Sequence, residues 1–104
     1  MGVIFVWTSL PDSKSAQKLA ASLVEKKLAA CVSVFAGVSS VYRWKGKLEK
    51  ARESVLLIKT SKAKWPALQK FVLSRHPYEL PELVALPASL VFKKYLKWIE
   101  TSVQ

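Results

Sequence analysis

Two kinds of apolar pattern follow one another along this chain, and their order constrains the fold more than any other feature. Short apolar runs, which are typical of strands, lie at positions 3–8, 30–35, 41–44, 55–60 and 83–86. Helical spacing predicts three helices, whose apolar stripes are Ala16, Leu19, Ala20, Leu23 and Val24, then Trp65, Leu68, Phe71 and Val72, then Phe92, Tyr95, Leu96 and Ile99. The order β-α-β-β-α-β with a further C-terminal helix predicts an α+β, ferredoxin-like fold of the split βαβ type.

Two glycines mark irregular points within the second strand and at its end. Gly37 separates the runs at 30–35 and 41–44, and a glycine inside a strand pattern often marks a bulge. Lys45 and Gly46 then predict a hairpin turn, with Gly46 at a positive φ. The return strand ends with four consecutive apolar residues, positions 55–58, which indicates a central place in the sheet.

Prolines predict where further elements begin or end. Pro66 fits only the start of the second helix, because a proline further inside would remove a backbone hydrogen bond. His76 precedes Pro77 and is expected to end that helix, since the residue before a proline avoids helical φ and ψ. Pro87 is expected to stop the fourth strand.

Length and apolar content predict one small domain, residues 1–104, that associates with copies of itself. A chain of 104 residues that is about half hydrophobic can bury a core, but a domain of this size is only marginally stable alone. Helices on one face of an antiparallel sheet leave the other face to be covered. The strands here are apolar enough that an uncovered face predicts self-association.

The charge of the chain is strongly positive, with seventeen Lys and Arg against seven Asp and Glu and a formal net charge of +10. Three classes of partner fit such a charge: nucleic acid, an anionic membrane and an acidic metabolite. The alternative is a soluble protein whose exposed faces are rich in lysine. Lysines outnumber arginines fourteen to three, whereas bidentate recognition of phosphate favours arginine. We therefore expect no membrane partner, and the lysine-rich surface disfavours a nucleic-acid partner without removing it as the alternative.

The predicted location is the cytoplasm. The chain has one cysteine, Cys31, so that no intrachain disulfide framework can form. The first apolar run follows no basic segment and is interpreted as a strand, not as a signal peptide. No run approaches the roughly 18 apolar residues of a membrane span.

Six segments of the chain together resemble one known family. They are TSLPD at 8–12, LAACV at 28–32, VYRWKGK at 41–47, LLIKT at 56–60, HPYELPE at 76–82 and YLKW at 95–98. In this order they are similar to motifs of the CutA family of divalent-cation tolerance proteins. The resemblance implies a ferredoxin-like fold, a homotrimer built like the PII signalling proteins, and a role in tolerance of divalent cations, copper in particular.

The resemblance also implies candidate positions for copper. Some members of the family are associated with copper binding through a cysteine in the first strand and paired histidines before a Pro-Tyr pair. The matching positions in this sequence are Trp7 and Arg75-His76. Indole and guanidinium groups do not ligate metals, so only His76 of that set keeps a ligating side chain.

Four residues are candidate ligands for copper or another divalent cation: His76, Glu79, Glu82 and Cys31. One imidazole and two carboxylates close in sequence could bind a divalent ion, and a thiol is a soft ligand for copper(I). The alternatives are that His76 ends its helix by bonding to a carbonyl group, that Glu82 bonds to backbone amides or a lysine, and that Cys31 is a buried small hydrophobe.

Four further residues could form a ligand cleft between subunits. Tyr42, Trp44 and Tyr78 would line it, and Lys59 would provide a cationic end for an anionic small molecule. The alternative is that these aromatic side chains only pack at an interface, where aromatic residues are enriched.

Two functions from different classes remain open at this point. The first is a homotrimeric binding protein for divalent-cation tolerance, with no enzymatic activity, since the chain lacks a nucleophile elbow, a phosphate-binding glycine loop and an HExxH run. The second is a basic ferredoxin-like module that binds nucleic acid, although the aromatic RNP1 pattern is absent.

Overall fold

The fold has the predicted order of elements. A computed structural model describes residues 2–104. Its elements are β1 (Val3–Leu10), α1 (Ser13–Glu25), β2 (Cys31–Trp44), β3 (Lys47–Ser61), α2 (Trp65–Arg75), β4 (Val84–Ala88) and α3 (Lys93–Ser102), with one 3₁₀ turn at Lys62–Lys64 before α2. Within residues 2–104, no helix is both long enough and apolar enough to cross a membrane.

The four strands form one antiparallel sheet in the order β2-β3-β1-β4. β3 is therefore central, as its run of four apolar residues predicts. Val6 of β1 lies opposite Ile58 of β3 and Ala85 of β4, which places the three strands in register. Because strand side chains alternate between faces, this register assigns every position of the sheet to one of two faces.

Helices α1 and α2 cover one face of the sheet and enclose the main core. This core contains Ile4, Val6, Leu10, Leu56 and Ile58 from the strands and Ala16, Leu19, Ala20, Leu23, Leu68 and Val72 from the helices. Helix α3 packs on the opposite face, where Ile99 and Val103 bury Val3 and Ala30. The predicted helix stripes thus meet the sheet from both sides.

The rest of that opposite face is not covered by any described element. Trp7, Phe35, Leu57, Val84 and Leu86 lie there by strand register, and we call these residues the open face. Phe35 is 45% exposed and Leu86 is 50% exposed, and the rings of Trp7 and Phe35 stack with their centres 6.3 Å apart. An apolar surface of this kind fits the self-association expected from the sequence.

The hairpin of β2 and β3 extends beyond the sheet as a two-stranded ribbon, residues 38–44 and 47–53. The last β3 residue paired with β1 is Ser54, which lies opposite Leu10. The ribbon starts at the predicted bulge, where the register shifts between Phe35 and Val38 and Gly37 has a φ of 69°. At its tip Lys45 and Gly46 both have positive φ, which is the geometry of a tight hairpin turn.

The ends of the two covering helices are set by local chemistry. The Asp12 carboxylate caps α1 by accepting a hydrogen bond of 2.7 Å from the Ser15 backbone amide. Pro66 lies in the first turn of α2, and His76 follows its last residue with extended backbone angles. Pro66 therefore lies at the start of α2, and Pro77, which follows His76, lies just beyond its end, as the sequence predicts.

Three details differ from the sequence prediction. β4 does not stop at Pro87 but continues to Ala88. β4 is an edge strand, and a proline is tolerated there when its nitrogen faces away from the neighbouring strand, because no hydrogen bond between strands is then lost. Phe92 precedes α3 and is 73% exposed instead of joining its buried stripe. Val24 is 43% exposed, since α1 ends at the next residue.

Candidate functional site

An open cleft of about 730 Å³ lies between the ribbon and the loop that follows α2. Its walls combine aromatic, carboxylate and hydroxyl side chains from three parts of the chain. They are Ser9 of β1, Ser40, Val41, Tyr42, Arg43, Trp44 and Glu53 of the ribbon, and Tyr78, Glu79, Leu80 and Glu82 of the loop. Its volume is typical of sites for small molecules.

A hydrogen bond between Tyr78 and Glu53 joins the two walls of this cleft. The Tyr78 hydroxyl donates to Glu53 Oε2 over 2.7 Å. Burial raises the pKa of the Glu53 carboxyl, but hydrogen bonds from Tyr78 and two serine hydroxyls outweigh burial and bring this pKa below its ordinary value. Burial and the Glu53 carboxylate raise the pKa of Tyr78, so that its proton stays on the phenol. The cleft therefore holds an ionised carboxylate in a defined position.

His76 holds the loop against β1 through both of its ring nitrogens. Nε2 lies 2.8 Å from the Ser9 carbonyl oxygen, and Nδ1 lies 3.2 Å from the Tyr78 backbone nitrogen, which donates to it. An acceptor at Nδ1 and a donor at Nε2 define one neutral tautomer. Burial lowers the pKa of His76 from its ordinary value, against the opposing effects of Ser9 and Glu53.

These bonds bear directly on the predicted metal site. A metal ligand needs a free nitrogen lone pair, and the only lone pair of neutral His76 already accepts from Tyr78. Within residues 2–104, no three His, Cys, Asp or Glu side chains are placed to hold one metal ion. His76, Glu79, Glu82 and Cys31 therefore do not fit a metal site within one chain, and the interpretation of His76 as a helix-ending residue bonded to a carbonyl agrees with the geometry.

The predicted cleft residues are brought together in part. Tyr42, Trp44 and Tyr78 line the cleft. Lys59 does not, because it lies opposite Cys31 and Phe5 on the sheet itself. The register puts Lys59 on the same side of the sheet as the open face, so it is not part of the cleft of one chain, and its role as the cationic end of a cleft between subunits stays a prediction. The two predicted metal ligands Glu79 and Glu82 line the cleft instead.

Glu53 is the central residue that the sequence interpretation missed. A signal for it exists in the hairpin, because a two-residue turn places Trp44 opposite Lys47 and hence Tyr42 opposite Glu49. Counting in steps of two from Glu49 then puts Glu53 on the same face as Tyr42. Its contact with Tyr78 joins residues 25 positions apart and has no such local signal.

The neutral state of His76 predicts a pH dependence of stability. Because its pKa is lower in the folded chain than the ordinary 6.5, the unfolded chain binds more protons below about pH 6.5. The free energy of unfolding should therefore fall as the pH drops below 6.5, and His76 should contribute no pH dependence to it above that pH. Urea unfolding of the unmodified chain and of the variant His76→Gln at pH 7.5 and 5.5 would measure this change. Titration of the Asp and Glu residues is expected to contribute alike in the two proteins. An equal pH dependence in His76→Gln and the unmodified chain would contradict the assignment.

Comparison with known proteins identifies relatives over nearly the whole chain. The family model described as CutA1 divalent ion tolerance protein matches residues 4–102. The divalent-cation tolerance protein CutA of Thermus thermophilus is 40% identical over 90% of this chain and 91% of its own length. The chloroplastic protein CutA of Arabidopsis thaliana is 40% identical over 97% of this chain. This chain spans only 52% to 62% of the length of the plant and animal relatives that it matches.

The solved structures agree with the fold. The crystal structure of CutA1 from Oryza sativa superposes with a TM-score of 0.96 and 38% sequence identity, covering 100% of this chain and 95% of that one. The match includes the α+β sheet and its helices, as the ferredoxin-like prediction requires. On the family model and these relatives together, the chain belongs to the CutA1 divalent ion tolerance family.

Proposed function

We propose that this chain acts in tolerance of divalent cations as a homotrimeric binding protein, and that a small ligand binds in the cleft between the ribbon and the loop after α2. The relatives are named for divalent-cation tolerance, which supports the general role. Copper is the cation that the sequence resemblance implies, and it is the first cation to test.

The observation that carries the ligand-binding part is the ordered Glu53 carboxylate inside an open cleft. Tyr78 bonds to Glu53, and His76 in turn holds the backbone of Tyr78 against β1. Side chains held in this way lose little entropy when a ligand arrives, so the cleft is organised for binding before the ligand enters.

Two features support assembly into an oligomer. The open face leaves half of the Leu86 and nearly half of the Phe35 surface exposed to water. The ribbon extends beyond β1, and a two-stranded hairpin without further contacts is only marginally stable. Packing against further copies would bury the open face and give the ribbon additional contacts.

A binding role is favoured over an enzymatic one by the bonding of the titratable groups. The free lone pair that a general base needs is absent from His76, whose Nδ1 accepts from Tyr78. Glu53 is kept ionised by its hydrogen bonds, so it is a poor proton donor near neutral pH. The cytoplasm remains the proposed location, where the free thiol of Cys31 would stay reduced.

Growth under metal stress tests this proposal. In a bacterial host without its own family member, the chain is expected to restore growth at inhibitory copper(II) or zinc(II). Glu53→Gln, which removes the cleft charge, should restore growth less well than the matched variant Glu25→Gln on the exposed end of α1. Growth no better than with an empty vector would contradict a role in tolerance. Equal rescue by Glu53→Gln and Glu25→Gln would contradict a part of the cleft in that role.

A second candidate function applies if the chain is monomeric. Trp7 and Phe35 stack on the open face, and ferredoxin-like RNA-binding proteins stack bases on aromatic side chains of the sheet. With a net charge of +10, such binding should weaken steeply as salt is raised. Salt-dependent retention on single-stranded RNA that Trp7→Ala abolishes would favour this candidate.

A further inference from the structure

We infer that the ligand of the cleft is an organic cation, an ammonium group carried on an apolar body, and not a bare metal ion or an anion. This inference rests on the proposed function, in which the cleft binds a small ligand. It adds the chemical class of that ligand, and it follows from the charge, the aromatic walls and the bonding of the cleft residues.

The charge of the cleft is opposite to that of the chain. Of the seven acidic residues in the sequence, Glu53, Glu79 and Glu82 line the cleft, while Arg43 is the only basic residue among the described residues that line it. The Arg43 guanidinium also points a nitrogen at the Gly46 carbonyl in the hairpin turn, at 3.5 Å. A negative cleft on a chain of net charge +10 repels anions locally and attracts cations.

The Glu53 carboxylate is organised to meet a cation. Its Oε2 accepts from Tyr78, and a carboxylate has about four lone-pair sites, so acceptor sites remain for the N–H groups of an ammonium ligand. Hydrogen bonds to a charged acceptor are roughly twice as strong as those between neutral groups. Because Glu53 is ionised, its charge is available at neutral pH.

The aromatic walls supply the second half of such a site. Tyr42, Trp44 and Tyr78 line the cleft, and tryptophan and tyrosine rings attract cations through the negative charge of their faces. The chain itself shows this attraction, since Lys45 Nζ lies 5.7 Å from the centre of the Trp44 ring. Aromatic rings beside carboxylates bind organic ammonium groups well, because the rings also contact the apolar body of the ligand.

The same residues disfavour a bare divalent ion. Such an ion needs several oxygen, nitrogen or sulfur ligands around one point. In the part of the chain that the structure describes, no three His, Cys, Asp or Glu side chains are grouped in that way, and His76 has no free lone pair. The volume of about 730 Å³ also suits an organic molecule better than a single ion.

Calorimetric titration with three small aromatic compounds tests the inference. The compounds are benzyltrimethylammonium, the neutral benzyl alcohol and the anion benzoate, and the protein is the full chain in its solution assembly. The ammonium compound is expected to bind at least tenfold more tightly than the other two. Glu53→Gln should weaken its binding at least tenfold, and the matched variant Glu25→Gln should leave it unchanged. Shifts of the Trp44 indole N–H signal in NMR would locate the binding in the cleft.

Several results would overturn the inference. They are tighter binding of benzoate, no binding of any of the three compounds, equal binding by Glu53→Gln, and displacement of the ammonium compound by stoichiometric zinc(II). If Glu53→Gln does not fold, Tyr42→Ala takes its place, because Tyr42 is 45% exposed and its loss should weaken ammonium binding at least about threefold.

The outcome is distinguishable from failure of the proposed function. If no ammonium binds while the Glu53 variant still loses metal tolerance in cells, the ligand class is wrong and the cleft keeps its role. If the Glu53 variant keeps full tolerance, the cleft has no part in tolerance, whatever binds to it in the calorimeter.

Discussion

Leu68→Ala is expected to lower the free energy of unfolding by about 3 kcal/mol. Leu68 is fully buried, and it packs from α2 into the core between the helices and the sheet. Shortening it removes apolar contacts and leaves a cavity, because the β1 and β3 residues beneath it are held by strand pairing and cannot collapse into the space. Denaturant unfolding at one fixed protein concentration would measure the change.

Leu73→Ala provides the matched control for this experiment. It makes the same chemical change five residues further along α2, where the leucine is 47% exposed. The difference in helix propensity is equal in both variants, so only burial separates them. We expect a loss below about 1 kcal/mol for Leu73→Ala. Equal losses in the two variants would mean that α2 does not pack through the face that carries Leu68.

Leu86→Glu is expected to convert the assembled protein into monomers. Leu86 lies on the open face opposite Phe5 and is 50% exposed in the single chain, which should therefore tolerate a carboxylate there. In an oligomer that buries the open face, the same carboxylate would lose its water without gaining a partner, and such a loss costs several kcal/mol. Light scattering would show the mass falling from three chains to one.

Leu73→Glu is the corresponding control on the other side of the molecule. It adds the same charge to the outer surface of α2, away from the open face, and should leave the mass unchanged. A mass of three chains for Leu86→Glu would mean that the open face is not the assembly surface. A mass of one chain for the unmodified protein would contradict the trimer and favour the nucleic-acid candidate.

The elements of this fold follow from local chemistry that can be read along the chain. Short apolar runs and helical spacing predict the strands and helices, and the glycines and prolines predict the bulge, the hairpin turn and both ends of α2. Each of these signals acts within a few residues, so that the rest of the molecule rarely overrides it. Pro87 is an exception, because its effect depends on β4 being an edge strand, which is a property of the whole sheet.

The sequence by itself therefore determined the order of elements, the central place of β3 and the motifs of the family. Only the tertiary structure decided the composition of the cleft. His76 bonds to Ser9 across 67 positions and Tyr78 to Glu53 across 25, and such pairs depend on how the sheet and loop pack together. The same packing lets the Tyr78 backbone amide donate to the lone pair of His76, and it places Lys59 outside the cleft. Residue type shows which chemistry a side chain offers, but its position in the fold decides which partner uses that chemistry.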